Sequence, residues 1–341
     1  MKKNTLILMN KTLLFALAIW IITGCSNDFD LTEDWKDITV VYGLLDQSQP
    51  VQYIRVEKAF LDPTTSAISI AQIADSLYYD NITVELRAFR PNGSGGSIYT
   101  LQRVNAEDEG FTREDGIFAT SPNYLYKLEE PIDEDFTYRL VIIKDDESTI
   151  EAETRICEDF DITSPFDVTV PMRFDLERDQ PTTFRWSSTT NAKFYNAKIL
   201  VEISEAPTSD PSNTTNRKLV WNITDNIKPN DNGLVSLAIP GSSFYDFMRE
   251  SLEPGFNRQL IGIELLVGSG AADLLNYTEI GQVNSGVTGA DLVPTYTNLE
   301  GDNVYGVFSS RYYKTFGQYQ TFTAATLDSL SMGYRTNDLG F

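Results

Sequence analysis

Histidine is missing from all 341 residues. That absence excludes Ser-His-Asp and Cys-His nucleophiles, histidine-ligated zinc and imidazole proton shuttles. Cysteine occurs only at Cys25 and Cys157, too sparsely for a disulfide framework. Cations are also scarce: 27 Lys plus Arg stand against 49 Asp plus Glu, a formal charge of −22. A chain this acidic lacks the clustered positive charge that grips phosphate backbones, so nucleic acid is excluded as a partner. No Gly-x-Ser-x-Gly elbow or Ser-x-x-Lys dyad occurs, which weakens the remaining routes to an activated serine. What is there is ordinary for a folded protein, with 41% hydrophobic and 22% charged residues, and the length suggests about two domains.

The first 25 residues read as an export signal. Lys2, Lys3 and Lys11 precede the apolar run Leu13 to Ile22, which is followed by Thr23-Gly24-Cys25. Ten apolar residues engage an export machinery but fall short of the roughly 20 that span a bilayer. Small residues just before a cysteine resemble the bacterial lipobox, in which the cysteine is acylated and becomes the mature N-terminus. The other reading is an ordinary cleaved signal beside a coincidental cysteine, and the flanking residues favour the lipobox. Several acyl chains on Cys25 would make a stable anchor. Removing the leader removes three lysines and no acid, taking the formal charge to −25. Cys157 is then left without an intrachain partner, and a buried, inert thiol is expected. Residues 25–37 read as an acidic tether. Within it Ser26, Asp28, Phe29 and Asp30 resemble the export tag that sends lipoproteins of Bacteroidota to the cell surface; the plainer reading is a solvated acidic spacer.

Beyond the tether the pattern turns to period two. Ile82 to Ala88 and Thr149 to Ile156 alternate apolar and polar residues, the signature of strands with one face in a core. Ile38 to Leu45, Val51 to Leu61, Ser97 to Val104 and Phe136 to Ile143 add strands, with Lys144 to Ser148 as a hairpin loop. Helical spacing of Ile70, Ile73, Ala74 and Leu77 predicts a short helix between Pro63 and Asp80. In the second half, Phe184-Arg185-Trp186 and Tyr195 to Ile203 are strands, and their buried Trp and Tyr resemble the core of fibronectin type III domains. Leu219 to Ile223, Leu234 to Ile239 and Leu260 to Val267 are further strands. A helix capped by Ser242 carries Phe244, Phe247 and Met248, and a second covers Ala271 to Ile280. The expected fold is mainly β: two immunoglobulin or fibronectin type III-like sandwiches, residues 38–162 and 163–341, with a few short helices.

Motifs for chemistry are sparse. The acid runs Glu107-Asp108-Glu109, Asp133-Glu134-Asp135 and Asp145-Asp146-Glu147 lack the spacing of a calcium loop, so no metal is assigned. Gly93-Ser94-Gly95-Gly96 sits between strands and reads as a turn, not a phosphate cradle. A carboxylate pair of the glycosidase kind needs only two converging acids, and nothing singles out two from 49. The last 46 residues hold ten of the 40 aromatics, against about five for uniform placement. Tyr296, Tyr305, Phe308, Tyr312, Tyr313 and Phe316 are therefore either core residues or a binding surface for protein or sugar rings. Asp75-Ser76-Leu77 and Asp328-Ser329-Leu330 match the short O-glycosylation pattern of Bacteroidota, with Ser76 and Ser329 as acceptors.

Several segments together carry a family likeness. They are Cys25, Val40-Val41-Tyr42-Gly43-Leu44-Leu45, Tyr53-Ile54-Arg55-Val56, Tyr296-Thr297-Asn298-Leu299-Glu300-Gly301 and Tyr305-Gly306-Val307-Phe308. In these the chain resembles a group of Bacteroidota outer-membrane lipoproteins with a domain of unknown function. Asp302-Asn303-Val304 and Tyr305 depart from the Asn-Ile-x-x-Gly-x-Gly-x-Phe segment common in that group. The resemblance implies an accessory lipoprotein of an outer-membrane system and no reaction, and the export tag adds the expectation that it faces the cell exterior. The leading expectation is a non-catalytic accessory subunit, without cofactor, of an outer-membrane β-barrel, a TonB-dependent transporter or an export or assembly complex. A glycan-binding lipoprotein of a SusC/SusD-type uptake system is the alternative, and a carboxylate-dependent hydrolase the third reading.

Overall fold

The structure is a computed structural model, and it describes residues 37–60, 66–165, 167, 169–284 and 296–341. The first half runs β1 (Asp37–Leu45), β2 (Gln52–Phe60), α1 (Ala67–Ala71), a 3₁₀ turn (Ala74–Leu77), β3 (Thr83–Phe89), β4 (Gly96–Thr100), β5 (Gln102–Asn105), β6 (Tyr124–Leu128), β7 (Thr137–Ile143) and β8 (Thr149–Arg155). The second half runs β9 (Ile162–Ser164), β10 (Thr182–Ser187), β11 (Phe194–Pro207), β12 (Thr215–Ile227), β13 (Leu234–Ile239), α2 (Gly241–Ser251), β14 (Phe256–Gly270), α3 (Ala272–Asn284), β15 (Val304–Gln320) and α4 (Ala324–Met332).

These strands form an eight-stranded sheet in the order β12-β11-β14-β15-β1-β2-β6-β5, a four-stranded sheet β4-β3-β7-β8 and a three-stranded sheet β13-β10-β9. The chain is thus mainly β and folds as two sandwiches with a few short helices. In the first, Val41, Ile54, Val56 and Tyr126 of the large sheet pack on Leu86, Leu140, Ile142 and Ile150 of the four-stranded one. In the second, Ile199, Val201, Leu265 and Val267 pack on Phe184, Trp186 and Val235, closed by Phe244 and Met248 of α2 and Leu330 of α4. Trp186 and Tyr195 lie in that core with ring centroids 5.9 Å apart, the placement that the fibronectin type III likeness implies.

The expected boundary at 162/163 divides the sequence but not the packing. β15 pairs in parallel with β1 from Thr39↔Val304 to Leu45↔Ser310, then antiparallel with β14 from Gly270↔Arg311. Leu299, Val304 and Phe308 accordingly complete the first core, while Cys157 and Phe160 pack in the second. One long strand, hydrogen-bonded to both halves, makes the two sandwiches share a sheet.

Two local expectations also differ. Residues 97–104 are two strands rather than one: Leu101 turns inward, its N–H donating to Val84 O at 2.9 Å, so β4 and β5 join different sheets. Ser242 lies inside α2 instead of capping it; Pro240 holds the cap position, and the Ser242 N–H donates to Asp179 Oδ1 at 2.8 Å. A neighbouring loop carboxylate does the work that the helix's own serine was expected to do. Among the described residues, no helix is long and apolar enough to cross a membrane.

Candidate functional site

The six C-terminal aromatics do not share one surface. Phe308 is fully buried in the first core, while Tyr312 and Phe316 pack against the second. Tyr312 meets Phe160 edge-on at 5.8 Å, and Tyr313 lies half-buried under the Arg311 guanidinium at 5.3 Å. Alternation along β15 explains the split, because even-numbered residues face the cores and odd-numbered ones face away. Only Tyr305, 43% exposed, is open to solvent. Its strand partner is Val40, which puts it diagonally beside Tyr42 on the outer face. Tyr296 is wedged by its hydroxyl, which donates to Asp273 Oδ1 at 2.5 Å. Burial raises the pKa of that phenol; the contact with Asn276 opposes the shift and the bond to Asp273 adds to it.

The other predicted positions are placed as follows. The Ser76 hydroxyl donates to Ile73 O at 2.6 Å and Ile70 O at 2.7 Å. Ser329 is half-buried on α4 beside the Tyr245 hydroxyl. Cys25, Ser26, Asp28, Phe29 and Asp30 lie outside the described residues. Cys157 is buried and free. Its burial, partly offset by a bond to Ser310, pushes the thiol up to about 11, so it stays protonated and unreactive at neutral pH.

Tyr296 leads to a polar cleft of about 540 Å³ that the sequence did not single out. Its lining is Arg139, Glu151, Ala152, Glu153, Asp273, Asn298 and Glu300. Glu151 and Glu153 are the outward members of the alternating strand β8. The segment 296–301 crosses from β15, where Thr297 pairs with Gly306, to the edge of β8, where Glu151 and Glu300 exchange backbone bonds of 2.9 and 2.7 Å. Asn298 fixes that crossing: its Nδ2 donates to Phe308 O at 2.7 Å, and its Oδ1 accepts from the Phe308 N–H at 3.0 Å. Asp273 opens α3, where an acid is favoured by the helix dipole. One turn further on, Tyr277 meets Tyr42 edge-on at 6.0 Å, and their hydroxyls are 3.1 Å apart.

Four carboxylates against one guanidinium make this cleft negative, and Arg139 is already paired with Glu153 and, at 3.6 Å, with Glu151. The Glu153 bond raises the arginine's own proton affinity further. A cleft of this charge, lined by acceptors, suits a cationic or hydroxyl-rich ligand. The acid runs elsewhere serve local structure. Glu109 binds Lys127 at 2.7 Å and the Tyr53 hydroxyl at 2.8 Å, and Asp146 caps Ser148. Hydrogen bonds hold the proton affinities of both carboxyls down, the reverse of what a general acid requires. Among the described residues, no group of three or more His, Cys, Asp or Glu side chains is placed to hold a metal ion.

No protein-family model and no curated protein sequence matches the chain. Solved structures give remote likenesses only. The C-terminal globular domain of an oligosaccharyltransferase from Pyrococcus abyssi is 10% identical over 68% of this chain and 45% of that one, with a TM-score of 0.23. The chain therefore spans less than half of that structure. The CBD12 structure from CALX1.2 is 11% identical over 80% and 98% of the two chains, TM-score 0.18. A two-domain fibronectin type III segment of chicken tenascin is 8% identical over 71% and 90%, TM-score 0.12. Superpositions this loose carry no functional argument.

The residues of the cleft were half legible. The outward set of Glu151 and Glu153 follows from period two, but their meeting with Asp273 and Glu300 depends on the path of residues 296–301 across β8.

Proposed function

We propose that this protein is a surface-displayed outer-membrane lipoprotein, anchored through Cys25, that acts as a non-catalytic accessory subunit of an outer-membrane barrel such as a TonB-dependent transporter or an export or assembly complex. The observation that carries the binding role is the cleft where β8, the 296–301 crossing and the start of α3 meet. Glu151, Glu153, Asp273 and Glu300 converge there, and the complementary partner is a lysine- or arginine-bearing segment. Backbone pairing and the Asn298 clamp hold the cleft's walls before any partner arrives, which lowers the ordering cost of binding.

The glycan-binding alternative calls for a row of exposed, coplanar rings. Tyr42 and Tyr277 stand at 76° to each other, and three of the six C-terminal aromatics pack in or against the cores, so this reading ranks second.

Purification from native outer membranes in mild detergent tests the proposal. The expected result is co-purification with a barrel, lost in the double variant Glu153→Lys, Glu300→Lys, which reverses two charges on exposed side chains. Recovery of the wild-type chain as a lone monomer across detergents would overturn it.

A further inference from the structure

The surface turns apolar where the chain enters the fold. Asp37 pairs with Phe60, and Ile38 with Ala59. Ala59 in turn forms one wall of a shallow groove of about 200 Å³ whose other members are Lys58, Ile68, Ala71, Leu77, Ile117 and Phe118. Two segments frame it, α1 and the loop before β6, joined by a bond from the Ala119 N–H to Ala71 O of 2.8 Å. Their apolar side chains point out rather than in: Ile68 is 57% exposed, Ile117 54% and Phe118 50%. Ile73, two residues past Ala71, is exposed as well. Thirteen large hydrophobics are exposed among the described residues, and three of them, Ile68, Ile117 and Phe118, line this one groove.

Exposed apolar side chains clustered in this way mark a contact surface. The tether says which. From Cys25 to Lys36 there are 12 residues, with a reach of at most about 40 Å, so an acylated Cys25 keeps this end of the molecule within that distance of the lipid. A second copy is disfavoured by the formal charge of −25 that each mature chain carries. Cationic groups stand at the groove: Lys58 lines it, and the Arg113 guanidinium lies 5.3 Å over the Phe118 ring while binding Glu57 at 2.8 Å. The exposed acids Asp75, Glu114 and Asp115, close in the chain to the residues lining the groove, fit a zwitterionic surface better than an anionic one.

We propose that Ile68, Ile73, Ile117 and Phe118 dock on the lipid surface to which Cys25 is anchored, so that the tethered sandwich rests on the bilayer in a fixed orientation. This rests on the lipoprotein reading above. The side chains enter the headgroup boundary as those of interfacial segments do, and the Glu151 cleft is held at a set height for its partner.

The test uses the full lipidated chain, reconstituted in phosphatidylcholine vesicles, with a polarity-sensitive fluorophore on Phe118→Cys, Ile68→Cys or, as control, Val220→Cys. Val220 is exposed on β12, at the far edge of the large sheet, and the buried Cys157 does not compete for label. The expected result is a blue-shifted emission at 118 and 68 that loses most of its intensity to lipid-borne quenchers, with neither effect at 220. Chains that float with the vesicles but show the same unquenched emission at all three positions would overturn docking and leave the anchor standing. A blue shift at 118 without lipid quenching would assign the patch to contact with protein, here a second copy of the chain, and equally overturn it. Failure of the wild-type chain to float would overturn the anchor, and docking with it.

Discussion

Glu205 and Arg258, on β11 and β14, form a buried ion pair. Their side chains are 5% and 1% exposed and bond at 2.8 Å. Arg217 adds a second bond to the carboxylate at 2.8 Å. Arg258 also holds the C-terminal segment, with Nη1 donating to Leu339 O at 2.6 Å and its N–H to Gly340 O at 2.7 Å. Burial alone would raise the proton affinity of Glu205, but the two arginines outweigh it and lower it. The sign of the pH dependence follows: the stabilisation is present above the unfolded carboxyl pKa of about 4.3 and is lost as pH falls through the lower folded value. Glu205→Gln leaves a buried guanidinium without its counter-charge and is expected to cost about 3–5 kcal/mol at pH 7. Denaturant titrations at pH 7 and pH 3 check this. The difference from wild type narrows at the acid end, and equal differences at both would contradict the assignment.

At the scale of elements, β15 decides the architecture, and its sharpest requirement is Gly306. Its φ of +113° and a position where a Cβ would stand 1.9 Å from Val41 O leave room for no other residue. Gly306→Ala is expected to cost more than about 3 kcal/mol, combining an unfavourable φ with forced separation of β1 and β15. A denaturation midpoint unchanged from wild type would contradict this. The elements themselves were largely legible, because period two in β3 and β8 and the helical spacing in α2 are local signals. The pairing of β1 with β15 was not: it joins residues more than 250 positions apart, and no spacing in either strand encodes the partner. Likewise, even–odd alternation separates Tyr305 from Phe308 only once it is known which face of β15 is covered. Leu101 gave no sequence sign of ending a strand; it ends one because the core of the first sandwich takes its side chain.

For the whole molecule, the shared sheet means that neither sandwich closes its core alone, since Leu299, Val304 and Phe308 reach the first only through the last fifth of the chain. The same crossing that completes this core also builds the acidic cleft, so fold and proposed binding site depend on one segment. The apolar patch lies where the tether joins β1. The proposed cellular role rests on acylation at Cys25, and the most direct measurement is metabolic labelling with palmitate followed by membrane flotation of wild type and Cys25→Ala. The account predicts a labelled wild-type protein that floats with outer membranes and an unlabelled variant that does not. An unlabelled wild type, or a Cys25→Ala chain that still floats, would contradict it.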